Sequence, residues 1–434
     1  MICLLLTSVG AAATLFLFDA GQMVSAKTRV LTAADTAAYS AASWRARVLN
    51  YNAYSNRAIV AQEVAVAQAI TLESWANYFE AFTESIETLS QIYPPVYTYA
   101  KAAAEAAHYS RLATQYAAAL EIRLRDGPSI GYKSMLTYSQ HIMHYSASDF
   151  GLTAIAQEVA GTADNRIKAY VLPIGTKHKD FIKHYSSDTD RQRMRRIVER
   201  SLDRFTAGTR DANLSLGVPA TCVMPGDPPH EATWHYRKRG GTKLAPGLDR
   251  WEAADTGSVQ VPVFSRRKGR CFQLEIYPMG WGAAELPVGS QEDDILDNPG
   301  AVATNRNALS NAVDEMSDSD RPNHQGTGIA RAFDLNYTKL PNKRFPVSRV
   351  VVLTKLKTGR LRLAGAVLPD GERLTPEITL PKDEVRAVGV AEVYFRRPPS
   401  APARREYASL YNPFWQVRLA TASAAEKGVA AHAR

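Results

Sequence analysis

The sequence predicts an α+β chain. An N-terminal transmembrane helix continues into an alanine-rich helical stalk and bundle, and a mainly β C-terminal domain follows. Three observations carry this. Residues Met1–Phe18 hold no charged side chain. From Gln22 to Asp126 there is no glycine, and the only prolines are Pro94-Pro95. Beyond Leu214 glycine and proline rise and apolar residues begin to alternate with polar ones. An uncharged apolar run suits a bilayer, uninterrupted alanine favours helix, and alternation marks strands. The expected boundaries are an anchor over 1–18, a helical stalk and bundle over 19–160 and a connecting region over 161–213. A strand-rich domain over 214–395 and a closing segment over 396–434 complete the chain.

The apolar run is slightly shorter than the roughly 20 residues a span needs, and no basic stretch precedes it. Ala11-Ala12-Ala13 lies inside the run, ahead of Leu15-Phe16-Leu17-Phe18. A cleavage site would follow the apolar core, so an uncleaved anchor fits better. The natural helix is expected to begin upstream of Met1. The competing reading is the core helix of a soluble protein. Lys27, Arg29, Arg45 and Arg47 follow the run; the positive-inside rule would place them in the cytoplasm, and a basic segment upstream would reverse that.

Within the helical region Trp75, Tyr78, Phe79, Phe82, Ile86 and Leu89 recur at steps of three and four, which predicts one buried helix-packing face. Pro94-Pro95 should break the helix. Leu112, Tyr116, Leu120 and Leu124 form a second such stripe, stopped by Asp126-Gly127-Pro128. A further helix is expected from about Ser134 to Ala160. Ser187-Asp188 can cap a helix from Thr189 to about Thr206. Its inner face would be Met194, Ile197, Val198, Ser201, Leu202 and Phe205. Arg191, Arg193, Arg195, Arg196, Arg200 and Arg204 make the rest basic. That face is either plainly solvated or, in the sharper reading, contacts an anionic surface through Arg191, Arg195, Arg196, Arg200 and Arg204.

In the C-terminal region Val259, Val261 and Val263 alternate, as do Phe272, Leu274 and Ile276 after Arg266–Arg270. This predicts a hairpin. Thr233–Lys238 and Lys243-Leu244 around Gly240-Gly241 suggest a second hairpin. Val350–Leu353 and Val388–Phe395 add strands. Residues 291–328 read as a long polar loop, Arg396–Ala403 as a proline-stiffened linker, and the stretch after Ala420 as frayed.

The chemistry-bearing motifs are few. A net charge of +9 favours anionic neighbours without choosing among them. Three cysteines exclude a disulfide framework. Cys222 and Cys271 are candidates for one disulfide if their domain lies in an oxidising compartment, and free thiols otherwise. Gly127-Pro128-Ser129-Ile130-Gly131 matches G-x-S-x-G, yet that elbow needs a preceding strand and here a helix precedes it. His141 and His144, with Asp149 nearby, could share a helix face toward a metal, but no third ligand follows at a fixed spacing. Glu292, Asp293, Asp294 and Asp297 lack the alternation and glycine of a calcium loop. There is no phosphate-binding lysine loop, no G-x-G-x-x-G and no C-x-x-C. No catalytic, cofactor or metal residue is therefore assigned.

Phe18-Asp19-Ala20-Gly21-Gln22, Lys27-Thr28-Arg29 and Ala33–Ala42 resemble the N-terminal region of TadG-like pilus-assembly proteins of the tight-adherence (Tad, Flp) system. Asn52–Ala58 and Val64–Ala69 extend the likeness, and Tyr407–Arg418 resembles the end of such proteins. The resemblance is specific over about Leu17–Trp75 and Val393–Leu419. It implies a non-enzymatic, pilin-like or assembly component anchored in the bacterial inner membrane, with its bulk in the periplasm. The implied partners are other pilin-like subunits and the pilus machinery, with oligomers through the N-terminal helices and no nucleic acid. The glycine–glutamate–phenylalanine pattern of prepilin processing is not seen, so the likeness does not extend to filament insertion. Asp314–Asp320 does not supply the D-x-S-x-S site of adhesive relatives. Two other readings stand beside this one. They are an envelope hydrolase around Ser129 and a membrane-tethered binder of an anionic polymer through Arg191–Arg204.

Overall fold

The computed structural model describes residues 2–127, 131–224, 226, 228–264, 271–285, 311, 328–357, 366–367, 373–374, 384–397 and 406–433. They form two compact units, each assembled from separated stretches: 1–56, 138–184 and 333–434 in the first, 57–137 and 185–332 in the second. The linear boundaries drawn above differ from these. A single helix, α1 (Ile2–Ser90), contributes residues to both units, and the stretches of the two units interleave, so no single cut in the sequence separates one unit from the other. Of the 291–328 loop only 311 and 328 are among the described residues, and the acidic residues Glu292–Asp297, Ser129 and 398–405 lie outside them.

In the first unit a four-stranded antiparallel sheet runs β1 (Lys168–Val171), β8 (Val347–Lys357), β11 (Glu384–Phe395) and β12 (Trp415–Leu419). Register is fixed by Val390↔Val351 and Val393↔Val417. The run Val350–Leu353 is apolar without a break because both faces of β8 are covered. Val350 and Val352 join the core that holds the first part of α1 and α4 (Asp149–Ala163). Val351 and Leu353 pack on the opposite side with Ala430 of α8 (Ala424–His432). The stretch after Ala420 is thus a capped helix and not frayed chain. The Ser423 hydroxyl accepts from the Glu426 N–H, the Glu426 carboxylate accepts from the Ser423 N–H, and Arg349 pairs with Glu426 at 3.0 Å. A short ladder joins β2 (Ile182–His184), fed by α5 (His178–Phe181), to β7 (Phe333–Leu335). Two two-residue strands, β9 (Ala366–Val367) and β10 (Arg373–Leu374), pair with each other.

The second unit contains a meander of β3 (Ala212–Cys222), β4 (His230–Leu244), β5 (Trp251–Phe264) and β6 (Phe272–Ala284). The predicted valine hairpin is β5–β6, with Phe264 opposite Phe272. The second hairpin is not formed: Gly240-Gly241 lies inside the continuous strand β4. The glycine there serves close packing, because a Cβ on Gly240 would collide with the Asp255 carboxylate. Residues 57–90 of α1 and α2 (Pro94–Asp126) supply most of its helix, and the chain breaks at the proline pair as expected: α1 stops at Ser90 and α2 opens on Pro94. The expected helix over 134–160 is two, α3 (Tyr132–Ser146) and α4, with Ser148 capping α4.

The aromatic stripes require correction. Of the first, Tyr78 is buried and Phe82 half-buried, while Trp75, Phe79, Ile86 and Leu89 are exposed. The face that α1 presents to the sheet is instead Ser74, Asn77 and Tyr78. A Cβ on Gly257, Gly280 or Gly282 would meet these residues. Polar and small residues dock the helix here, so the largest side chains do not mark the buried face. In the second stripe Tyr116, Leu120 and Leu124 are exposed, and the buried residues of α2 are Ala100, Ala104, Ala107, Gln115, Ala118, Ile122 and Asp126.

Candidate functional site

The first turns of α1 and the turns that follow differ in what they touch. Leu6 is 67% exposed and Leu17 68%, and Val9, Phe16 and Phe18 are also open. From Ala26 onward one face is buried: Val30, Ala33, Ala34, Ala37, Ala38, Ala41, Ala42, Ala46 and Leu49 enter the first unit's core. Alanine lets the helix backbone approach the sheet closely. At Gly389 of β11 the approach is to backbone itself, and a Cβ would strike the Ala34 carbonyl. Thr354 of β8 donates to the Val30 carbonyl at 3.0 Å.

The buried stripe then turns polar without leaving its face. Arg45 is 1% exposed. Its guanidinium donates to the Thr176 carbonyl at 2.9 Å, Ser348 Oγ at 3.0 Å and Asp149 Oδ1 at 3.2 Å. Burial pulls its pKa down to about 10, against the opposing pull of Asp149. Asn50 grips strand backbone at two points: Nδ2 donates to the Trp415 carbonyl and Oδ1 accepts from the Trp415 N–H, both at 3.0 Å. Asn56 Nδ2 donates to the carbonyls of Leu410 and Phe333 at 2.8 Å. Gln140 of α3 donates to Asn56 Oδ1 at 2.8 Å. The two sequence blocks that carried the resemblance, 52–58 and 407–418, therefore meet in one hydrogen-bonded joint. Sequence reasoning missed Arg45, Asn50 and Asn56 as joint residues. The signal was available: residues 45, 49, 52 and 56 continue the spacing of the buried alanines, and polar groups on such a stripe must be hydrogen-bonded.

His141 and His144, for which the sequence offered no third ligand at a fixed spacing, belong to a larger histidine group. His141, His144 and His184 surround the Phe333 ring at centroid distances of 4.8, 4.2 and 4.8 Å. His144 Nδ1 lies 3.1 Å from His178 Nε2, and His144 Nε2 lies 3.0 Å from Asn52 Oδ1. Burial holds the His144 pKa down to about 3, helped by the charges of His141 and His184. Among the described residues no group of three or more His, Cys, Asp or Glu side chains is arranged to hold a metal ion.

In the second unit Lys133 is buried at 3% exposure. It donates to Glu63 Oε1 at 2.6 Å, Asp126 Oδ1 at 2.5 Å and the Gly328 carbonyl at 2.7 Å. All three protons of the ammonium are used. Burial raises the Glu63 pKa, Lys133 lowers it and Asp126 raises it. Cys222 and Cys271 form a disulfide with Cα atoms 5.8 Å apart. The basic helix is shorter than expected, α6 (Asp188–Glu199), with a separate turn α7 (Arg204–Ala207). Ser187 caps α6 as predicted. Arg191 is no surface residue: it is buried and donates to the carbonyls of Leu248 and Ile329. Arg195 pairs with Glu199 at 2.6 Å, and Arg196, Arg200 and Arg204 are exposed.

A helix whose first turns are apolar and open, and whose next turns are bolted into a folded unit, is the architecture of a helix-anchored protein. The helix is long and apolar enough to cross a membrane. Residues 1–44, which cover the open turns and most of the alanine stripe, match the family model of putative Flp pilus-assembly TadE/G-like (Tad) proteins. No curated protein matches the chain. No solved structure matches it either.

Proposed function

We propose that this protein is a membrane-anchored, pilin-like or assembly component of a Tad/Flp-type pilus machine, acting by binding and positioning partner subunits without turnover. One observation carries the reading: the segment that matches the Tad family is the same helix that runs from exposed apolar turns into the core of the first unit. Force or position applied to the anchor passes to the sheet through the alanine face and through Arg45, Asn50 and Asn56. The apolar turns sit in the inner membrane, and both units lie on its periplasmic side. The Cys222–Cys271 disulfide supports that compartment, since such bonds persist where conditions are oxidising. The partners are other pilin-like subunits, recruited through helices. Site-specific photocrosslinkers at exposed Val9 and Phe16 in living cells test this. Crosslinks to pilin-like subunits support it, and crosslinks to lipid alone contradict it.

A further inference from the structure

We propose that the buried His144–His178 pair is an acid-sensitive latch that fastens α5 and β2 to the rest of the first unit. The hydrogen bonds fix the neutral tautomers. Asn52 Nδ2 donates to the Phe333 carbonyl at 3.1 Å, so Asn52 Oδ1 is the acceptor for His144 Nε2–H. His144 Nδ1 is then a lone pair, and His178 Nε2–H must donate to it. His178 Nδ1 is left buried with no hydrogen-bond partner among the described residues.

A proton has no favourable place in this arrangement. On His144 Nδ1 it would either set two N–H donors head to head or force the His178 proton onto the buried, unpartnered Nδ1. On His178 Nδ1 it would create a buried imidazolium, which burial opposes first and the charge of Arg45 second. The groups facing the pair offer little relief. From α1 comes Arg45. From α4 comes Asp149, already engaged by Arg45. From α3 and β2 come His141 and His184, whose positive charge opposes protonation. From β7, Asp334 Oδ1 accepts from the N–H groups of Leu335 and Leu410.

The mechanical consequence follows from position. His178 opens α5, which runs directly into the three-residue ladder β2–β7. Phe333 of that ladder is packed by His144. Losing the bond between the rings frees α5 and β2 from α3 and so loosens the β2–β7 ladder, while Phe333 keeps the direct bonds that Asn52 and Asn56 give its carbonyl. The sign is set by the direction of the shifts. An unfolded histidine gains its proton near the ordinary 6.5, whereas His144 in the fold is held down to about 3 by burial. The latch is therefore fully closed above 6.5 and weakens as pH falls from there toward 3. Each proton taken up only in the open form raises the opening constant about tenfold per pH unit.

The test is hydrogen–deuterium exchange of the full chain in detergent at about pH 7.5 and about pH 5, with rates corrected for the intrinsic pH dependence. Peptides covering 178–184 and 333–335 should lose protection at the lower pH while β8 and β11 keep theirs. In His144→Gln/His178→Gln that loss should disappear. Should the double variant fold poorly, histidine C2–H exchange in the wild-type chain decides the matter. Ordinary midpoints for both His144 and His178 would overturn the latch, as would pH-independent protection of the two peptides.

Discussion

A methyl group on Gly389 would collide with the carbonyl oxygen of Ala34. The helix that begins as an apolar anchor thus lies directly on strand β11, backbone against backbone. The flanking alanines Ala33, Ala37, Ala38 and Ala41 are completely buried, so no looser packing is accommodated nearby.

Enlarging either side of that contact should lever the helix off the sheet. Gly389→Val is expected to destabilise the first unit by about 1–3 kcal/mol, the usual cost of overpacking a dense core. Ala34→Leu should act in the same direction. Thermal unfolding of the detergent-solubilised chain, followed at Trp415, checks both. A transition unchanged within error would mean that the helix does not rest on the sheet.

Asn50 and Arg45 are predicted to matter more than their distance from any catalytic chemistry suggests. Asn50→Leu leaves the N–H and carbonyl of Trp415 without their partner and should cost about 1–3 kcal/mol. Asp149→Ala removes the carboxylate that pairs with Arg45. Because Asp149 is partly exposed, about 1–2 kcal/mol is expected. Urea titrations of the two variants, compared with wild type, measure these losses.

The anchor, the alanine stalk and the β-rich second half were legible in sequence because each rests on local periodicity. Joint residues such as Asn56 were not, since their partners Leu410 and Phe333 lie some 280 to 350 positions away. The aromatic stripes misled for a related reason. Periodicity shows that one helix face is apolar, but only the partner surface decides which face is covered, and the glycines of β5 and β6 selected Tyr78 over Trp75 and Phe79. Gly240-Gly241 misled because a glycine pair serves a turn and a close strand approach equally well. The discontinuous units were invisible to a linear reading. They follow from one helix, α1, supplying residues to both.

The buried Glu63–Lys133–Asp126 group should show its own pH dependence. Glu63 has its pKa raised above the usual 4.5, mainly by burial. A carboxyl raised in the fold contributes stability that is fully present below the unfolded value and is lost as pH rises through the folded value. Glu63→Gln keeps the shape and removes the ionisation. Exchange protection around Lys133 should therefore fall less with rising pH in the variant than in wild type. Lys133→Met, which leaves two carboxylates without their cation, should destabilise the second unit by about 3–5 kcal/mol.

Breaking the disulfide should loosen the β3–β6 meander. The bridge closes a loop with a sequence separation of 49, and the chain-entropy model gives a loss of roughly 3–4 kcal/mol for Cys222→Ser/Cys271→Ser. Alkylation followed by mass spectrometry should label Cys222 and Cys271 only after reduction. Labelling without reduction in protein taken directly from cells would argue against an oxidising compartment.

The most direct measurement of the central claim is a count of surface pili. It compares cells lacking this protein, cells complemented with the full chain, and cells complemented with a form in which residues 1–18 are replaced by a cleavable secretion signal. A role as an anchored assembly component predicts bald cells on deletion, restored piliation with the full chain, and no restoration with the unanchored form at equal abundance. Normal piliation on deletion would contradict the assembly role, and restoration by the unanchored form would contradict the anchor.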